Sequence, residues 1–144
     1  MTATLRSTWI RFWLWVGFIV LAVTPWEDLQ NHSHWRRVQW IPFVTPPVKP
    51  IDIVVNVLLY LPFGYWFAQL RGGRRGQVWG AVVAAAMLSL ATEWTQLYSH
   101  SRFPSMTDVT NNLIGTALGA WWVSAGVASA FRRTVSDAGR SVRL

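Results

Sequence analysis

The chain has 144 residues, of which 52% are hydrophobic and only 13% charged, with eleven tryptophans and no cysteine. A water-facing domain carries about 25% charged residues, and a disordered chain is poor in aromatics, so both classes are excluded; the lack of cysteine removes disulfides, thiolate catalysis and Cys-based metal sites. The net charge of +7 invites a nucleic-acid reading, but no basic patch has a reading element beside it, and a small all-α membrane protein is expected.

A spanning helix needs roughly 20 mostly apolar residues, and four segments in one domain over residues 1–144 meet or approach that length. The first, about 9–26, carries one charge, Arg11, near enough to its end to reach the headgroups. It also has the basic start of a signal peptide, but no A-x-A site follows it, so an uncleaved helix is expected. The long loop from Glu27 to Pro50 comes next, where Pro42, Pro46, Pro47 and Pro50 prevent a long helix. Its Trp35, Trp40, Ile41 and Phe43 suit the membrane surface, so it is expected to cover part of the bundle from outside. The second helix spans about 51–70, with Pro62 and Gly64 predicting a kink. The run RGGRRG, Arg71 to Gly76, forms a tight turn into the third helix, about 78–97. The fourth spans about 109–131, after the short connection Tyr98 to Asp108.

Lysine and arginine in short loops set orientation. With a cytoplasmic N-terminus and four spans, Arg6, Arg11, Arg71, Arg74, Arg75, Arg132, Arg133, Arg140 and Arg143 lie inside, and Arg36, Arg37, Lys49 and Arg102 outside. This distribution predicts both termini in the cytoplasm of a multi-pass protein. Trp26, Trp40 and Trp94 then fall at the outer interface and Trp9, Trp66 and Trp79 at the inner one, as an aromatic belt requires. Trp121 and Trp122 fit less well and are expected to pack or to face lipid.

Five of the six acids, Glu27, Asp28, Asp52, Glu93 and Asp108, then lie outside or at the outer helix ends. Ionisable groups within spans are costly and usually face the bundle interior. Asp52 and Asn56 share a face of the second helix, and Glu93 and Gln96 one of the third. Asp108, Asn112, Gly115 and Gly119 form a single stripe of the fourth, whose glycine spacing lets two backbones approach and offers a route to oligomers. Arg102 is expected to pair with Glu93 and Asp108 across the short connection, since either charge alone would be expensive there. Asp108 can also cap the fourth helix.

The run Glu93-x2-Gln96-x5-Arg102-x5-Asp108-x3-Asn112-x2-Gly115-x3-Gly119 resembles the signature of the VanZ-like family of small bacterial membrane proteins. Ile41-Pro42-Phe43 and Asn56-x5-Pro62-Phe63-Gly64 resemble its earlier blocks, so the likeness covers about Trp40 to Trp122. Family members often carry an acid three residues after the arginine, where this chain has Ser105. The resemblance implies a bacterial cytoplasmic-membrane protein acting at the envelope, in a family named for a member associated with teicoplanin resistance. It supplies no reaction and no cofactor.

Asp52, Asn56, Glu93, Gln96, Arg102, Asp108 and Asn112 are the candidate ligand-binding residues, and Pro62, Gly64, Gly115 and Gly119 the packing residues. If the cluster catalyses, Glu93 and Asp108 are the candidates, with Glu93 as general base on a lipid-linked substrate and Arg102 holding a phosphate or carboxylate. The bland alternative is a salt-bridge network that only fixes the last two helices. A hard-cation site of Asp52, Glu93 and Asp108 is weakly signalled. His32 and His34 read as solvated rather than ligating, and Ser99, His100 and Ser101 resemble a catalytic pair only by adjacency. A binding protein for a lipid-linked or wall component is the leading expectation. An intramembrane enzyme and a small transporter subunit stand beside it.

Overall fold

The computed structural model describes residues 3–44, 49–72 and 76–141, with side chains placed through residue 126. It is all-helical: α1 (Ala3–Val23), α2 (Pro50–Leu70), α3 (Gln77–Gln96) and α4 (Met106–Ser141). Two short 3-10 turns, Trp26–Asp28 and Trp35–Arg37, lie in the loop between α1 and α2. Among the described residues there is no strand, and β-pairing amounts to two isolated bridges, Leu29 with Ser99 and Gln39 with Ser105.

The chain is apolar on the outside and polar within. Leu14, Trp79, Met87, Trp121 and Trp122 are each more than 60% exposed. Ser89, Thr92, Glu93, Gln96, Asn111, Asn112 and Thr116 are buried. Water would reverse that arrangement, whereas a bilayer rewards it, because lipid tails solvate leucine and tryptophan while polar groups must find partners inside. Three helical segments, Thr4–Asp28, Pro50–Leu70 and Gln77–Gln96, are long and apolar enough to cross a membrane. The chain is therefore a membrane protein. Trp121 and Trp122 are exposed rather than packed within the chain.

Small residues let the helices meet. On α3, Ala81, Ala85, Ser89 and Glu93 recur every four residues and all are buried. The closest approach joins α2 to α4. A Cβ on Gly64 would overlap the carbonyl of Thr116, one on Gly115 that of Val57, and one on Gly119 that of Leu61. The glycine stripe thus serves a backbone crossing within the chain. Lipid supplies little drive between helices, so such close packing and a few polar bonds must hold them. One of those bonds runs from α1: the Trp15 indole N–H donates to the Leu59 carbonyl at 2.8 Å. α2 itself runs unbroken through Pro62, whose missing N–H leaves the adjacent Leu58 carbonyl without its helical donor.

The helix bounds differ from expectation mainly at α1 and α4. α1 begins and ends earlier, because the chain turns at Thr24 and Pro25. α4 starts three residues before Val109, with the Ser105 carbonyl accepting the first bonds from the N–H groups of Asp108 (3.1 Å) and Val109 (3.2 Å). Ser105 therefore occupies the capping position, and Asp108 lies in the first turn, where the helix dipole still favours an anion. In the turn between α2 and α3, Gly72 and Gly76 adopt positive φ of 74° and 91°, as the reversal requires. Arg74 and Arg75 of that turn, Pro46 and Pro47 of the long loop, and Arg143 lie outside the described residues.

Candidate functional site

The loop between α1 and α2 is sewn to the α3–α4 connection by backbone hydrogen bonds. The N–H of Gln30 donates to Tyr98 O (2.7 Å), that of His34 to Leu97 O (2.8 Å) and that of Gln39 to Pro104 O (2.9 Å). Met106 N–H returns a bond to Gln39 O at 3.0 Å. Further along, Phe43 N–H donates to Thr107 Oγ1 at 2.9 Å, from a residue with φ 63°. Asp28 clamps the other end: its Oδ2 accepts from Ser99 Oγ (2.8 Å) and Ser101 N–H (2.6 Å). The loop therefore roofs one end of the bundle, as its apolar residues suggested.

Beneath its edge lies a cleft of about 350 Å³ lined by Lys49 and Asp52 at the start of α2, Gln96 at the end of α3, Arg102 in the connection and Asp108 in α4, with Gln39 and Thr107 beside them. Four of the seven candidate binding residues thus converge on one space from four separate parts of the chain. Asn56 stands one turn below Asp52, near enough to Asp108 to act on its carboxylate. Lys49 and Arg102 face Asp52 and Asp108, so cations and carboxylates share the same walls. Gln39 had no signal in the sequence because it reaches the cleft only through the roofing loop, and Thr107 had none because it is a neutral hydroxyl in the first turn of α4.

Glu93 and Asn112 lie deeper. Glu93 Oε2 accepts the Ser105 N–H at 2.7 Å, and Asn112 Nδ2 donates to Ser89 Oγ at 2.9 Å. The expected direct pairing of Arg102 with Glu93 and Asp108 is not found. Among the described residues no ion pair joins them, and Arg102 acts on both through space. The physical reason is local: the Ser105 N–H at 2.7 Å satisfies Glu93 without Arg102. Near this carboxylate lie Tyr60, Ser89 and Thr92, neutral polar residues that carry no charge to mark them in the sequence; Asn111 is buried as well. Tyr60 Oη, Asn111 Nδ2 and Asn112 Oδ1 are buried without a partner.

Histidines form a second cluster. His32 and His34 lie with His100 in the roof, with ring centroids 4.5–5.5 Å apart. Neither the spacing of His32 and His34 nor the adjacency of Ser99, His100 and Ser101 signalled this, since the contact spans more than sixty residues of chain. Ser99 and Ser101 serve the Asp28 clamp instead.

A family model described as VanZ/LLP1 matches residues 8–128, most of the chain. No curated protein and no solved structure matches it.

Proposed function

The chain belongs to the VanZ/LLP1 family, and from that premise we propose that it is a multi-pass protein of the bacterial cytoplasmic membrane that binds an envelope component in its polar cleft. In this reading α4 is the fourth span, both termini are cytoplasmic, and the cleft opens toward the outer leaflet. The observation that carries the proposal is the convergence of Asp52, Gln96, Arg102 and Asp108 on one cleft at the roofed end of an otherwise lipid-facing bundle. Arg102 and Lys49 suit a phosphate or carboxylate, which guanidinium grips through paired donors. Asp52, Asp108 and Gln96 suit the hydroxyl or amide groups of a sugar or peptide. A lipid-linked wall precursor combines these chemistries and reaches the cleft from the bilayer.

Binding is favoured over catalysis by the place of Glu93, whose carboxylate is directed at the Ser105 N–H and does not line the cleft. An effect on teicoplanin susceptibility follows from sequestering or presenting such a precursor. The test replaces Arg102→Gln, Asp108→Asn and Glu93→Gln singly, checks membrane levels, and measures teicoplanin susceptibility against a deletion strain. Arg102→Gln and Asp108→Asn are expected to match the deletion, with Glu93→Gln nearer the parent because it keeps an acceptor for Ser105. Parental susceptibility in the first two variants, where deletion has an effect, would overturn the proposal.

A further inference from the structure

The three histidines of the roof come from two segments that the sequence keeps apart. His32 and His34 belong to the loop after α1, and His100 to the α3–α4 connection. One potential ligand nitrogen from each lies within 4.8 Å of the other two. Three imidazoles around one divalent ion, with ligand bonds of about 2.0–2.1 Å, stand roughly 3.3 Å apart in a tetrahedral arrangement. Closing the difference takes only side-chain rotation, since His32 and His100 are exposed and His34 is half-buried.

Two features distinguish this cluster from a chance meeting of surface rings. The first is that its backbone is already held: His34 N–H donates to Leu97 O at 2.8 Å, Gln30 N–H to Tyr98 O at 2.7 Å, and Arg37 Nη1 to His100 O at 3.0 Å. Both ligand-bearing segments are thus fixed against one another before any ion arrives. The second is the tautomer. His34 Nδ1 lies 3.1 Å from the Leu97 carbonyl, which can only accept, so in the neutral ring the proton sits on Nδ1 and the lone pair on Nε2. Metal-bound histidines are commonly oriented in this way, with the second nitrogen donating to a carbonyl.

We propose that His32, His34 and His100 form a binding site for a borderline divalent transition-metal ion, Zn2+ above all, on the roof of the bundle. Imidazole nitrogen suits this class of ion better than magnesium or calcium, and the neighbouring Asp28 carboxylate is already engaged by Ser99 Oγ and the Ser101 N–H. Three protein ligands leave the fourth position to water. The site is separate from the cleft, and it ties the loop after α1 to the α3–α4 connection that forms the cleft's rim.

The test uses the full chain in detergent micelles, purified through a cleavable tag without histidines and stripped with a chelator. Zn2+ is titrated in competition with a chromogenic chelator, and Co2+ is added separately as a spectroscopic probe. The expected result is one equivalent of tightly bound Zn2+, and the d–d bands of tetrahedral Co2+. Each of His32→Ala, His34→Ala and His100→Ala should weaken Zn2+ binding at least about tenfold. Thermal unfolding of the stripped variants checks that each is folded. Equal Zn2+ affinity in the parent and in the triple alanine variant would overturn the proposal. So would an octahedral Co2+ spectrum insensitive to His100→Ala. Neither result bears on the cleft, because Asp52, Arg102 and Asp108 are untouched in every variant.

Discussion

Gly119 faces the backbone of α2 so closely that replacing it with alanine has a calculable consequence. The added methyl would overlap the Leu61 carbonyl oxygen and stand 2.8 Å from the Tyr65 amide nitrogen. Both obstacles are helix backbone, which cannot rotate aside as a side-chain tip can. Non-bonded heavy atoms belong about 3.5 Å or more apart, so α2 and α4 must separate by on the order of 1 Å. Overpacking of this kind costs about 1–3 kcal/mol, and the upper end applies here because separation also weakens the contacts at Gly64 and Gly115. Gly115→Ala meets the same backbone at Val57, and the double variant should cost less than the sum, since one separation relieves both overlaps. Reversible unfolding in mixed micelles, followed by tryptophan fluorescence, measures these differences. Gly17→Ala is the control, because a Cβ there meets nothing within 4 Å. Gly119→Ala unfolding together with Gly17→Ala would refute the crossing.

Two further predictions concern the polar bonds that hold the elements. Trp15→Phe removes the indole donor to Leu59 O and should destabilise the protein by about 1 kcal/mol, seen as a lower Tm in detergent. Ser99→Ala removes the donor to Asp28 and the acceptor for the Ser101 and Arg102 amides. About 1 kcal/mol of local stability corresponds to roughly fivefold faster hydrogen exchange at Gln30, His34 and Gln39, with the helices unaffected.

Much of this arrangement was legible in the sequence, and the misses share a cause. Apolar runs interrupted by Pro50, Gly76 and the Tyr98–Asp108 connection marked α2 and α3 closely, whereas α1 begins well before Trp9, at Ala3, and α4 begins at Met106 and extends to Ser141. Asp52, Gln96, Arg102 and Asp108 were identified because charged or amide groups are expensive within apolar segments, and that cost singles them out wherever they fold. The glycine stripe announced a close backbone approach. Its spacing could not say whether Val57 and Leu61 of the same chain or another copy would fill it. Tyr60, Ser89 and Thr92 were overlooked because neutral hydroxyls sit in apolar helices at little cost and leave no mark. His100 beside His34, and Gln39 in the cleft, depend on backbone hydrogen bonds between a proline-rich loop and a distant connection, for which no local periodicity exists.

The sidedness of the roofed end is the claim on which the functional reading rests, and the natural absence of cysteine makes it directly measurable. Ser33→Cys, in the exposed loop, and Thr4→Cys, at the exposed start of α1, are labelled in intact spheroplasts with a membrane-impermeant maleimide, before and after permeabilisation. The account predicts that Ser33→Cys reacts in intact spheroplasts and Thr4→Cys only after permeabilisation. The opposite pattern would place the cleft and its histidine roof in the cytoplasm and contradict the envelope role.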